Sequence, residues 1–101
     1  VVVVFQINGF ETQPGQSMSI IGSCPELGEW DHPRAYGMEY VNANTWIATI
    51  AFNPDESKVI NYKFVVNQES GEPIVEYLIN RKMLLPAEGR IAVDCFWNSP
   101  N

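Results

Sequence analysis

Apolar residues in this chain recur at every second position, in short runs separated by turn-forming residues. In Thr45 to Phe52, one side carries Trp46, Ala48, Ile50 and Phe52. In Val59 to Asn67, Ile60, Tyr62, Phe64 and Val66 share one side, and Asn61, Lys63, Val65 and Asn67 share the other. Ile91, Val93, Cys95 and Trp97 form a third row. Further extended runs are Val1 to Asn8, Ser17 to Gly22, Met38 to Val41, Ile74 to Tyr77 and Lys82 to Leu85. Asn8-Gly9, Pro14-Gly15, Asn42-Ala43-Asn44, Asn53-Pro54-Asp55, Glu69 to Pro73 and Pro86 to Gly89 punctuate them. No segment keeps a helical period for three turns. The pattern predicts an all-β chain of about seven to eight strands in a sandwich or small barrel. The three apolar rows would face one another across a core about 10 Å thick. Lys63 then points outward from a rigid strand, and Asn98 to Asn101 read as a frayed end.

With 101 residues the chain is expected to be one domain, residues 1–101. It starts at Val1 in a strand-like run, which suggests a domain excised from a longer protein. Six basic against twelve acidic residues give a formal charge of −6, so nucleic acid and anionic membrane surfaces are poor partners. No apolar run approaches the roughly 20 residues of a membrane helix. Cys24 and Cys95 could form one bridge or stay as buried thiols. The place of Cys95 on an apolar row favours free thiols, and with them an intracellular setting, bacterial cytoplasm or plastid, over secretion.

Chemistry for catalysis is scarce. His32, the only histidine, lies in a loop with no nucleophile motif to support it. No spacing suits a metal, and no glycine-rich phosphate loop is present, so neither metal nor cofactor is expected. A glycosidase carboxylate pair needs a cleft, and a β domain of this size offers little wall for one. The aromatics are more informative. Trp30 sits in the loop Leu27-Gly28-Glu29-Trp30-Asp31-His32-Pro33, and Tyr77 lies close to Asn80-Arg81. Exposed flat rings near amide and ammonium donors suit a sugar: the ring stacks on its C–H face, and the donors reach its hydroxyls.

These residues carry a resemblance. Ser17 to Asp31, ending Gly22-Ser23-Cys24-Pro25-Glu26-Leu27-Gly28-Glu29-Trp30-Asp31, resembles a segment of carbohydrate-binding module family 20, the starch-binding domain. So do Thr45-Trp46, Asn61-Tyr62-Lys63-Phe64, Val75-Glu76-Tyr77 with Asn80-Arg81, and Asp94 to Trp97. The resemblance implies an antiparallel, immunoglobulin-like β-sandwich that binds α-1,4-linked glucan (starch, glycogen, maltooligosaccharides, cyclodextrin) without catalysis. It would tether the catalytic domain of a parent amylase, glucanotransferase, branching enzyme or glucan-phosphorylating enzyme to polysaccharide. It maps a first sugar site onto Trp30, Lys63, Tyr77 and Asn80. Tyr77 stands where Trp is usual, Leu78 replaces a customary acid, and the loop to Asn80 is shorter. A second site maps onto Tyr40 and Trp46, with Pro14 in place of its characteristic Tyr; for Trp46 a place on the core row with Ile50 and Phe52 is favoured. These departures motivate an alternative, an interaction module of the same fold whose sugar binding is lost.

Overall fold

The computed structural model describes residues 1–53, 59–77 and 79–99. Pro54 and Asp55 of the expected turn, Leu78, and Pro100-Asn101 of the tail lie outside these residues. The described strands are β1 (Val2–Asn8), β2 (Ser17–Gly22), β3 (Tyr36–Gly37), β4 (Glu39–Asn42), β5 (Thr45–Ala51), β6 (Val59–Asn67), β7 (Ile74–Val75), β8 (Arg81–Leu84) and β9 (Arg90–Phe96). They form two sheets: one ordered β4-β5-β1-β9, the other β3-β2-β6 with β7 and β8 both on the far edge of β6.

The period-two rows become the core. Phe5, Ile7, Ile20, Trp46, Ala48, Ile50, Phe52, Ile60, Tyr62, Phe64, Val66 and Cys95 belong to one buried cluster. Phe5 meets Phe52 and Tyr62 edge-on, with ring centroids 6.2 and 5.2 Å away, the geometry that aromatic quadrupoles favour.

Three details depart from the sequence reading. First, the sandwich is not wholly antiparallel: β1 runs antiparallel to β5 but parallel to β9. The two strands are far apart in sequence, so no tight hairpin dictates their direction. Second, the run around Met38 is not one strand. Tyr36–Gly37 pairs with β2 and Glu39–Asn42 with β5, so the chain changes sheets at buried Met38. Met38 donates its N–H to Met18 O at 2.9 Å, and the Tyr36 hydroxyl donates to Thr49 O at 3.1 Å across the sheets. Third, Val65 lies on the side of β6 away from the central cluster, yet it is fully buried, as is Ile21 on β2. The segment Pro25 to Arg34 touches β2 and sends Leu27 into the central cluster, and His32 and Pro33 line a hollow with Asn67, Gly71 and Pro73. A face that alternation marks as solvent-facing thus carries a small second apolar layer.

Candidate functional site

The edge of β6 is where the site is built. Val59–Tyr62 pairs with β8 and Val65–Val66 pairs with β7. Lys63 and Phe64 fall between the two partners, beside Glu76. Glu76 turns inward and is buried, whereas Tyr77 is 80% exposed, with Asn80 also exposed.

An interrupted edge leaves backbone groups without ladder partners, and side chains take them up. Phe64 N–H donates to Glu76 Oε1 at 3.1 Å. Glu76, 3% exposed, also receives Arg81 Nε on Oε1 at 3.0 Å, and Arg81 Nη2 and Asn98 N–H on Oε2 at 2.7 and 2.8 Å. Arg81 Nη2 donates as well to Phe96 O at 2.6 Å, and its guanidinium lies 5.3 Å over the Phe64 ring. Burial alone would depress Arg81; the hydrogen bonds and charge of Glu76 outweigh it and hold the guanidinium above its ordinary value. Lys63 does point outward from β6, and its Nζ donates to Glu76 O at 3.2 Å.

The loop that carries Trp30 departs from β2, the strand on the other flank of β6. Gly22, the last residue of β2, pairs with Tyr62, which pairs in turn with Arg81. A Cβ on Gly22 would lie 2.5 Å from Asn61 O, so only glycine lets the chain leave β2 this closely. Ser23 then ties itself to Asn61, N–H to O at 2.9 Å and Oγ accepting Asn61 N–H at 3.1 Å. Two 3-10 turns follow, Pro25–Trp30 and His32–Arg34. Inside the first, Gly28, Glu29 and Trp30 take φ of 80°, 51° and 65°. The last two are side-chain-bearing residues in the left-handed region, which is uncommon and costs energy. Leu27 and Glu29 N–H to Cys24 O, and Asp31 N–H to Gly28 O, hold the conformation. Trp30 emerges 40% exposed rather than plugging the sandwich.

The residues of the second set stand elsewhere. Tyr40 and Trp46 are direct partners across β4 and β5, with rings 5.4 Å apart and edge-on. Tyr40 is 63% exposed and Trp46 only 7%. Trp46 belongs to the core cluster, yet its ring borders a groove of about 470 Å³ shared with Thr12, Gln13, Pro14, Gln16, Tyr40 and Ala43. Its Nε1 donates to Thr12 Oγ1 at 3.3 Å. Pro14 therefore occupies the wall where the resemblance would put a ring.

Residues 1–94 match the family model of the starch binding domain. This chain belongs to the starch-binding domain family. Like its family, this starch-binding domain binds α-glucan without catalysing a reaction, and the alternative of a converted protein-interaction module is not favoured. It is 33% identical over 107 residues to Glucoamylase P of Amorphotheca resinae, covering 99% of this chain and 17% of the glucoamylase. It is 32% identical over 92 residues to the AA13 family lytic polysaccharide monooxygenase A of Pyricularia oryzae, 85% of this chain and 24% of the relative. Among solved structures, a glycoside hydrolase family 15 glucoamylase from Hypocrea jecorina superposes with a TM-score of 0.86 at 25% identity, over 98% of this chain and 17% of that one. The chain thus spans less than a quarter of the length of these proteins.

The relatives correct one expectation. Fungal glucoamylase and the lytic polysaccharide monooxygenase are typically secreted enzymes, which overturns the intracellular reading of this starch-binding domain. The thiols misled for a physical reason. Cys24 and Cys95 are free but buried, and burial pushes both thiols up from their ordinary value. A thiol that is neither exposed nor ionised is inert in an oxidising as in a reducing compartment. Sequence reasoning also missed Asn98, read as part of a frayed end, and the joint work of Glu76 and Arg81. An acid and a base flanking an exposed ring was the available signal.

Proposed function

We propose that the domain holds α-1,4-linked glucan on a platform made by Trp30 and Tyr77, with Lys63 and Asn80 hydrogen-bonding the sugar hydroxyls. One observation carries the reading: the loop of Trp30 starts at Gly22, the partner of Tyr62 on one flank of β6, and the segment of Tyr77 lies on the other flank, where Lys63 Nζ reaches Glu76 O. Each ring offers a flat face to the apolar side of a glucose unit. The Lys63 ammonium has three donors, and its bond to Glu76 O leaves others for hydroxyls. A shallow platform buries little ligand, so the affinity is expected to be weak, about 10 μM to 1 mM.

The groove at Tyr40 and Trp46 is a second, narrower candidate, supported by its amide-bearing wall of Gln13 and Gln16. We read the chain as one domain of a larger glucan-active protein, such as an amylase, glucanotransferase, branching enzyme or glucan-phosphorylating enzyme, that it tethers to polysaccharide. The short share of Glucoamylase P that it matches supports this.

Calorimetric titration with β-cyclodextrin or maltoheptaose, beside Trp30→Ala and Tyr77→Ala variants checked for folding, tests the reading. Saturable binding that both variants lose is the expected result. Binding that survives both would transfer the working surface to Tyr40 and Trp46.

A further inference from the structure

We propose that Asn98 is a positioning residue for the sugar platform, acting through the backbone of Tyr77; the inference rests on the proposed role of Tyr77 in glucan binding. An exposed ring gains nothing from core packing to fix its direction, so the peptide that carries it must be held instead. The β7 ladder ends at Val75, and the peptide between Glu76 and Tyr77 lies beyond it. Both polar groups of this peptide go to side chains. Its carbonyl, Glu76 O, accepts Lys63 Nζ at 3.2 Å, and its N–H, on Tyr77, donates to Asn98 Oδ1 at 3.1 Å. Asn98 is itself fastened, its N–H donating to Glu76 Oε2 at 2.8 Å. It thereby makes a ring with the 76–77 segment: main chain to the buried carboxylate, side chain to the next amide.

The backbone around Asn98 suits the task. Trp97 N–H donates to Asn8 O at 2.8 Å and Ser99 N–H to Phe96 O at 3.0 Å, a tight turn that seats the residue after β9. Asn98 has φ 55°, a left-handed conformation that asparagine tolerates better than other side-chain-bearing residues. An asparagine here supplies the turn and the acceptor together. The position lies beyond residues 1–94, which the family model matches.

Asn98→Gly separates the two roles. Glycine keeps the left-handed turn and the N–H to Glu76 but removes the side-chain acceptor. Loss of one neutral hydrogen bond predicts roughly a three- to tenfold rise in the Kd for β-cyclodextrin. Two readouts are needed. Amide hydrogen exchange at Tyr77 should accelerate in Asn98→Gly without sugar, while core amides such as Ile60 keep their protection. The calorimetric Kd for β-cyclodextrin should rise in the same variant, so that exchange at Tyr77 and sugar affinity move together while the core is unchanged. Asn98→Asp, which keeps an acceptor and tolerates the turn, should recover most of the affinity. Unchanged exchange at Tyr77 would overturn the clamp itself. Faster exchange with undiminished affinity, where Tyr77→Ala does lose binding, would overturn its bearing on sugar. If Tyr77→Ala binds as wild type, the platform reading fails first and the positioning role falls with it, whatever the exchange shows.

Discussion

Gly28 is the residue on which the presentation of Trp30 turns. Its φ of 80° begins a left-handed stretch that continues through Glu29 and Trp30. A Cβ at this position would also sit 2.5 Å from the carbonyl carbon and oxygen of Arg34. Backbone atoms cannot swing aside as a side-chain tip can. Gly28→Ala therefore has to shift the second 3-10 turn or unwind the first. We expect a stability loss of about 1–3 kcal/mol in urea denaturation. The Kd for β-cyclodextrin should weaken even where the variant stays folded, because the Trp30 ring loses its mount. A variant that unfolds earlier but binds normally would show that the strained stretch serves folding alone. The glycine in Leu27-Gly28-Glu29-Trp30 was legible as a turn residue in sequence. Three consecutive left-handed residues were not, since Glu29 and Trp30 have no local preference for that region.

At the scale of the element, the edge of β6 decides the site. Two short strands share one edge, and between them Glu76 turns in beside Lys63 while Tyr77 stands exposed. Glu76 replaces the missing ladder by accepting Phe64 N–H, and Arg81 neutralises it at 2.7 Å with both side chains nearly buried. Removing one member of such a pair strands a buried charge. Glu76→Ala should cost about 3–5 kcal/mol in the same denaturation experiment. Replacing both members, Glu76→Leu with Arg81→Met, should recover much of that stability but not the sugar affinity, because Phe64 N–H and Asn98 N–H lose the carboxylate that holds them. Full recovery of binding in the double variant would deny the carboxylate any part in shaping the edge. The sequence reading gave Ile74 to Tyr77 and Lys82 to Leu85 as separate extended pieces. That both would join the same strand depends on tertiary pairing, which no local pattern encodes.

For the whole molecule, burial sets the behaviour of the groups that titrate at high pH. Burial raises Cys24 and Cys95 above their ordinary value of 9.0 and Tyr62 above 10.0; the Tyr62 hydroxyl lies 4.0 Å from Cys95 Sγ in the core. The folded state therefore prefers these groups neutral, while the unfolded chain ionises them near their ordinary values. Their contribution is intact below about pH 9 and is lost as pH climbs toward the raised values. The urea midpoint should stay flat from pH 7 to about pH 9 and fall above it, less steeply in a Cys24→Ala, Cys95→Ala variant. An equally steep fall in that variant would assign the loss to other groups. The same burial predicts that a thiol reagent labels neither cysteine until the domain unfolds.

The amino-acid pattern by itself determined the class of fold and most of the core. Alternation is a local property, and rows such as Trp46-Ala48-Ile50-Phe52 can be buried together only by a sheet. It also determined that Lys63 faces outward, for the same reason. The resemblance brought Trp30, Lys63, Tyr77 and Asn80 to notice as a set. What tertiary structure alone decided is how neighbours in space, remote in sequence, complete one another. Val65 is fully buried although it lies on the outward row of β6, a burial that alternation does not foretell. β9 lies parallel to β1 because the last strand joins the sheet beside the first. Asn98 reaches Tyr77 because the turn after β9 arrives at the broken edge of β6. Periodicity reports which side of a strand is apolar, whereas contacts between distant segments depend on strand order and direction, which many sequences with the same alternation could satisfy differently.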